Sequence, residues 1–309
     1  MRTWISVILC LLLLSWSHPL AAAGPFPVRL PAPGREADLQ TVTVVGQPQE
    51  YTLQKGDNLL DIARRYGLGY LELGNIYRHW DPFLPPAGTT IVIPTQWIVP
   101  SRPRHPIIVN TGEMRLYYFI DNYTRVITFP IGMGVLDFKT PVGVFKIVEK
   151  KTNPAWHIPK SLQGKYGMAV MPPGPDNPLG EYKLTLSWGD YGIHGTHMPW
   201  GVGRLVSHGC TRMYPEHIKK LFPLVKVGTT VEYIYEPVMI GYRDGRIYLA
   251  VNQDYYHRIP DLLGYTLHRL ESEKVLQKVD LQKVLKTVEE RFGIPEDVTA
   301  TSGSATTPL

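Results

Sequence analysis

Cysteine is nearly absent: the 309 residues include only Cys10 and Cys210. That excludes a disulfide framework. Cys10 lies inside an apolar run, Ile5 to Leu14, that follows the short basic start Met1-Arg2 and precedes Ala21-Ala22-Ala23. This is the layout of a secretory signal peptide over residues 1–23, and the run is too short to cross a bilayer comfortably, so the mature chain is expected to carry no transmembrane segment. Cys10 follows Ile8-Leu9 rather than small residues, which is not how a lipidated cysteine is placed. Cleavage leaves Cys210 alone. An unpaired cysteine in an exported chain points to a reactive thiol or an intermolecular bridge, although a free cysteine is also commonly a small buried hydrophobe. Charge of one sign is scarce as well. The chain has 32 basic and 27 acidic side chains, a net +5 that falls to +4 without Arg2. That balance suits an anionic polymer surface, and it is too small and scattered for nucleic acid.

What is present is an ordinary globular composition, 44% hydrophobic and 19% charged, enough for one large or two modest domains. Gly and Pro at 28 each, with 18 Tyr, predict turns and strands rather than a helical bundle. Residues 24–48 contain Pro25, Pro27, Pro31 and Pro33 and read as an extended linker or arm. Glu50 to Gln54 alternates like a strand, Asp57 is placed to cap a helix, and Leu59, Ile62, Ala63 and Tyr66 form one apolar stripe ending at Gly67. A second short helix over Tyr70 to Tyr77 and a strand over Thr90 to Pro94 complete the unit 49–95.

From Pro106 the pattern is that of strands: Ile107 to Asn110, Met114 to Phe119, Val126 to Phe129, Gly143 to Glu149 and Leu184 to Trp188. Thr111-Gly112-Glu113 and Asp121-Asn122 mark turns. The fold expected for 96–236 is therefore mainly β, an antiparallel sandwich-like arrangement. The proline-rich stretch Asn153 to Leu179 is long for a loop and reads as a lid over a groove. Over 237–292, Val238 to Tyr242 and Arg246 to Val251 flank Asp244-Gly245, a hairpin signal, and Glu271 to Phe292 reads as an amphipathic helix. Residues 293–309, above all Thr299 to Leu309, read as a disordered tail.

The chemistry-bearing stretch is Val206-Ser207-His208-Gly209-Cys210-Thr211-Arg212-Met213, and sixteen residues upstream of Cys210 stands His194, in Tyr191-Gly192-Ile193-His194-Gly195-Thr196. A thiol needs a nearby base or a thiolate-stabilising field to be nucleophilic near neutral pH, and two imidazoles, His194 and His208, are at hand. His194, His197, His208 and Cys210 also count as potential zinc ligands. Zinc sites favour closely spaced pairs, however, and the glycine neighbours suit acyl transfer better, so no metal and no cofactor is expected.

Residues Tyr51 to Leu59, Ile62 to Gly67 and Gly88 to Pro94 resemble a LysM module. That resemblance implies a βααβ fold whose loops grip the N-acetylglucosamine of peptidoglycan, with Gly56, Asp57 and Asn58 as the glycan-binding candidates. Asn58, Leu60 and a longer, proline-rich second loop depart from the common pattern. The following region resembles the L,D-transpeptidase, or YkuD-type, family through Thr140 to Phe145, Pro173 to Gly180, Tyr191 to Thr196, Ser207 to Met213 and Gly228 to Val231. It implies a periplasmic enzyme acting on peptidoglycan tetrapeptide stems. Cys210 would attack the carbonyl before the terminal D-alanine, release it, and pass the acyl group to an amine. His194 matches the base, with a backbone carbonyl, that of Gly195 for preference, holding its tautomer. Backbone N–H groups of His208, Gly209 and Cys210 would meet the oxyanion, with Ser207 in support. His208 is the alternative base. Arg212 lowers the thiol pKa, orients a stem carboxylate or pairs with an acid, and Tyr191 would also line the substrate site. Sequence leaves the acceptor open between a stem amine, a protein lysine such as that of an outer-membrane lipoprotein, and water, the last giving an L,D-carboxypeptidase or an amidase on the same stems. The contrasting class is a non-catalytic wall-binding protein.

Overall fold

The computed structural model describes residues 24–32 and 34–301, so the expected signal peptide and the last residues of the expected tail lie outside the described residues. The architecture is mainly β. Nine strands form one sheet in the order Phe26–Pro27, Arg125–Pro130, Arg115–Ile120, Ile107–Asn110, Thr230–Ile234, Gly143–Thr152, Tyr182–Leu186, Gly192–His194 and Thr211–Arg212. Most neighbours are antiparallel, but Thr230–Ile234 runs parallel to Ile107–Asn110, and Thr211–Arg212 runs parallel to Gly192–His194. Parallel neighbours need a crossover of a dozen or more residues. The one between His194 and Thr211 ends in the cysteine.

Both faces of the central strands are covered, which is why Ile107–Asn110 is buried throughout instead of alternating. Ile107 and Val109 join Leu116, Leu184, Ile193, Ile218 and Leu221 on one face, the last two from the helix Pro215–Leu224. Ile108, Tyr117, Phe119 and Val126 look the other way and share a core with Leu53, Ile62, Leu68, Leu73 and Ile93 of the N-terminal unit. That unit is strand Gln49–Thr52, helices Leu59–Arg65 and Tyr70–Gly74, and strand Thr90–Ile93, the two strands antiparallel. A polar knot crosses the same interface. Arg115, 1% exposed, puts Nη2 2.7 and 2.8 Å from the two carboxylate oxygens of Glu72, and its guanidinium lies 4.3 Å from the ring centroid of Trp97. Glu72 also accepts from Trp97 Nε1 and from the Gly69 N–H. Arg64 forms a two-pronged pair with Glu216.

Several segments differ from expectation. The proline-rich arm is tied down: Phe26–Pro27 adds an edge strand beside Arg125–Val126, where a proline without an N–H is tolerated, and Val44–Gly46 pairs with Gln96–Ile98. Asp57 does not cap the first helix. Its carboxylate accepts from the Gln54 N–H and from Tyr51 OH, both at 2.8 Å, and Asn58 caps instead by accepting from the Asp61 N–H. The strand expected over Leu184 to Trp188 is Tyr182–Leu186, ending early because a turn carries the chain from Trp188 to Tyr191. The proline-rich stretch Asn153 to Leu179 holds a ribbon, Trp156–His157 with Val170–Met171, and a helix, Lys160–Tyr166. Asn177 pins it by donating to the carbonyls of Pro154 and Pro172.

A separate helix, Leu262–Ser272, comes first, and the helix expected over Glu271 to Phe292 is the shorter Leu281–Glu290. Lys274 at φ 56° ends the first, and Asp280 caps the second by accepting from the N–H groups of Gln282 and Lys283. The tail is ordered further than expected. Glu296–Asp297 pairs with the hairpin strand Arg246–Val251, and the Ile247 N–H donates to Thr299 Oγ1.

Candidate active site

The site forms where two short strands end side by side. Ile193 pairs with Thr211 and His194 with Arg212, and the Met213 N–H donates to the His194 carbonyl at 2.9 Å. This register carries Cys210, one residue before its strand, to the edge that bears His194. The odd positions Ile193 and Thr211 are buried on the side packed by Pro215–Leu224, which leaves the even positions to line the site.

His194 is buried, and its Nδ1 lies 2.6 Å from the Gly195 carbonyl oxygen. A carbonyl can only accept, so the ring proton sits on Nδ1 and Nε2 keeps its lone pair. Burial, with the charge of Arg212 second, depresses the imidazole to about 3, so the ring is neutral at physiological pH. Cys210 is half-buried, and its Sγ is 3.9 Å from the Asp190 carbonyl oxygen. Desolvation raises the thiol above its ordinary range, opposed by the Gly192 N–H and by the charges of Lys183 and Arg212. The resting pair is therefore a neutral thiol and a neutral imidazole.

The loop before the sulfur is shaped by Ser207. Its hydroxyl donates to the Cys210 carbonyl at 2.6 Å and accepts from the Gly209 N–H at 3.1 Å. Gly209 adopts φ +103°, a conformation open to glycine, with the Tyr191 ring directly over it. His208 is exposed, with its ring centroid 4.6 Å from that of Phe138. Arg212 is fixed through backbone bonds in both directions with Gly132, and its Nε is buried without a partner. A cleft opens beside Gly209, walled by Phe145, Trp188, Tyr191 and Tyr233.

The structure thus gathers Cys210, His194, Gly195, Ser207, His208, Gly209, Tyr191 and Arg212 at one edge. Gly56, Asp57 and Asn58 stand apart, in the loop before helix Leu59–Arg65, where the side chains of Asp57 and Asn58 are engaged in the local bonds above. Sequence reasoning passed over Lys183 and Trp188. The alternation Tyr182-Lys183-Leu184-Thr185-Leu186, with Leu184 and Leu186 in the core, was the available signal that Lys183 faces the other way. Among the described residues no three of His, Cys, Asp and Glu converge as metal ligands.

Residues 104–234 match the model of the YkuD L,D-transpeptidase catalytic domain. The chain is 34% identical over 271 residues to the probable L,D-transpeptidase YcfS of Escherichia coli K12, covering 82% of this chain and 85% of that one. It is 35% identical over 268 residues to the probable L,D-transpeptidase YbiS of the same strain, covering 82% and 87%. The likeness to the probable L,D-transpeptidase ErfK/SrfK, also of Escherichia coli K12, is 32% over 317 residues and spans 96% and 97% of the two chains. On this likeness, spanning most of both sequences, the chain belongs to the YkuD family of L,D-transpeptidases.

Proposed function

We propose that the protein acts on peptidoglycan tetrapeptide stems through a thioester on Cys210. The sulfur attacks the carbonyl that precedes the terminal D-alanine while the thiol proton passes to His194 Nε2. The tetrahedral oxyanion is met by the N–H groups of His208 and Cys210, since the Gly209 N–H is already given to Ser207. As the C–N bond breaks, the imidazolium returns its proton to the departing amine of D-alanine. An acceptor amine then attacks the thioester, His194 takes its proton, and the thiol is regenerated as the new amide forms.

The observation that carries this reading is the neutral His194, its tautomer set by the Gly195 carbonyl, on the strand edge shared with the chain's single described cysteine. A neutral imidazole and neutral thiol mean that proton transfer accompanies attack and no ion pair is present beforehand. The acceptor is a stem amine, giving a stem-to-stem (3-3) cross-link, or a protein lysine such as that of an outer-membrane lipoprotein. Residues 49–95 serve as a LysM module that holds the glycan, and residues 1–23 direct export to the periplasm.

The test is to incubate the mature protein with disaccharide-tetrapeptides and weigh the products. A cross-linked dimer, or a thioester adduct that Cys210→Ala does not form, is the expected result. A shortened monomer alone makes water the acceptor and the enzyme an L,D-carboxypeptidase. Unchanged substrate with no adduct overturns the catalytic reading in favour of a wall-binding protein.

A further inference from the structure

Strand register lines up four basic side chains. Lys151 pairs with Lys183, Lys183 with His194, and His194 with Arg212, so the four stand in one row across adjacent strands. Residues directly opposite one another in a sheet project from the same face. The neighbouring row confirms the side: Lys150, one position over, reaches the Val225 carbonyl and the Phe222 ring of the helix packed on the opposite face.

Two cations in this row have no acid. Lys151 is 2.9 Å from Glu149, which also accepts from Thr185. Lys183 and Arg212 form no ion pair among the described residues, and both are partly buried. Lys183 extends across Gly192, where an added Cβ would stand 3.2 Å from its Cε. Ile193 pairs with Thr211 in parallel, which sets Gly192 beside Cys210, so the Lys183 stem crosses the backbone next to the cysteine, and its charge acts on both Cys210 and His194. Cations left unpaired and partly desolvated next to a nucleophile are costly unless something anionic joins them. Of the acids nearby, Glu149 is taken by Lys151, Asp176 acts on His197 and Asp190 acts on Cys210, and none of them forms an ion pair with Lys183 or Arg212 among the described residues. The buried, unpartnered Nε of Arg212 is an independent sign of a missing acceptor.

We propose that Lys183, beside Arg212, is a specificity-determining residue that binds a free carboxylate of the donor stem, so that the enzyme favours acidic stems over amidated ones. The inference rests on the stem reading above and adds the feature of the stem that is read. A tetrapeptide stem offers such a group on the side chain of its diamino residue and at its terminal alanine. Both are carboxylates, and Lys183 takes whichever lies over Gly192 when the scissile carbonyl is at the sulfur.

The experiment compares three soluble stems: the free acid, the diamino side-chain amide and the terminal alaninamide. In wild type, one of the two amides should lose about tenfold in kcat/KM, mainly through KM, as expected for a charge-assisted contact in a half-buried site. Lys183→Gln should show that same loss with the free acid and no further loss with that amide, and Lys183→Arg should restore discrimination. Which amide is silent to Lys183→Gln identifies the carboxylate. Equal effects of Lys183→Gln on all three stems, or no effect on any, overturn the proposal. Stem Kd values on Cys210→Ala separate the two layers. Carboxylate-dependent binding without turnover refutes the chemistry and keeps the Lys183 site, whereas turnover without carboxylate discrimination does the reverse.

Discussion

Tyr191 lies against Gly209 so closely that a Cβ on Gly209 would stand 2.3 Å from ring atom Cε1. The backbone there is also at φ +103°. Gly209→Ala therefore meets two obstacles, a clash and a strained dihedral on the order of 1–3 kcal/mol. The loop must shift, and displacing a reacting group by an ångström typically lowers rate by about a hundredfold. Acylation of Gly209→Ala should fall by that order, with the melting temperature lowered by several degrees as the strain is carried by the fold. Adding Tyr191→Ala should recover part of the loss, since it removes the clash and leaves the dihedral. Full activity in the single variant would refute this account of the loop.

That Cys210 and His194 come to one strand edge was legible in the sequence, because both sit in short glycine-bounded motifs whose order is informative. The loop before Cys210 was legible only in part. Nothing local says that the Ser207 hydroxyl takes the Gly209 N–H. Lys183 was invisible for a different reason: its meaning comes from the register that sets it opposite His194, and register is a property of two strands. The swap of cap from Asp57 to Asn58 turned on a competing acceptor role, since Tyr51 OH and the Gln54 N–H claim the Asp57 carboxylate. The unbroken apolar run Ile107-Ile108-Val109 did hint at two covered faces, but not that the second cover is the N-terminal unit.

That shared core makes the N-terminal unit part of the fold as well as a candidate glycan binder. Removing Glu72 strands the Arg115 guanidinium in a site where it is 1% exposed. Glu72→Leu should destabilise the protein by about 3–5 kcal/mol, the usual consequence of breaking a buried pair from one side. The double variant Glu72→Leu/Arg115→Met should be less destabilised than the single. Both follow from urea denaturation midpoints, and a loss under about 1 kcal/mol in the single variant would show the pair to be dispensable. For the same reason, deleting Tyr51 to Pro94 should yield aggregated protein, because Ile108, Tyr117, Phe119 and Val126 lose their cover.

Two buried histidines make the fold acid-sensitive. Burial depresses both His194 and His217 to about 3, while the unfolded chain protonates its histidines near an ordinary value of about 6.5. Below that value the unfolded state binds more protons than the folded one. Stability is therefore full above pH 6.5 and is lost as pH falls toward 3, by about 2 kcal/mol per histidine at pH 5. Glu113, raised by burial to about 8, acts with the opposite sign, so the informative quantity is a difference between variants. His217→Leu should flatten the acid slope of unfolding free energy between pH 6.5 and 5 by about half of the histidine contribution. An unchanged slope would mean that His217 is protonated in the folded state.

The last prediction separates the two imidazoles beside the thiol. His194 is buried and neutral with Nε2 free, whereas His208 is exposed and packed on Phe138. With the thiol held above its ordinary range by desolvation, alkylation of Cys210 by a small neutral reagent should keep rising past pH 8.5, about the value for an unperturbed thiol. A flat neutral plateau would mean a pre-formed thiolate. If His194 is the base, His194→Ala should slow acylation by a stem on the order of a hundredfold or more at neutral pH, with partial recovery in alkali as the thiolate forms unaided. His208→Ala keeps the proton acceptor and disturbs only the loop that presents the oxyanion donors. Its loss should be smaller and nearly independent of pH between 7 and 9. Measuring stem acylation across that range in wild type and both variants decides the matter. A pH-dependent rescue seen in His208→Ala and absent from His194→Ala would reverse the two roles.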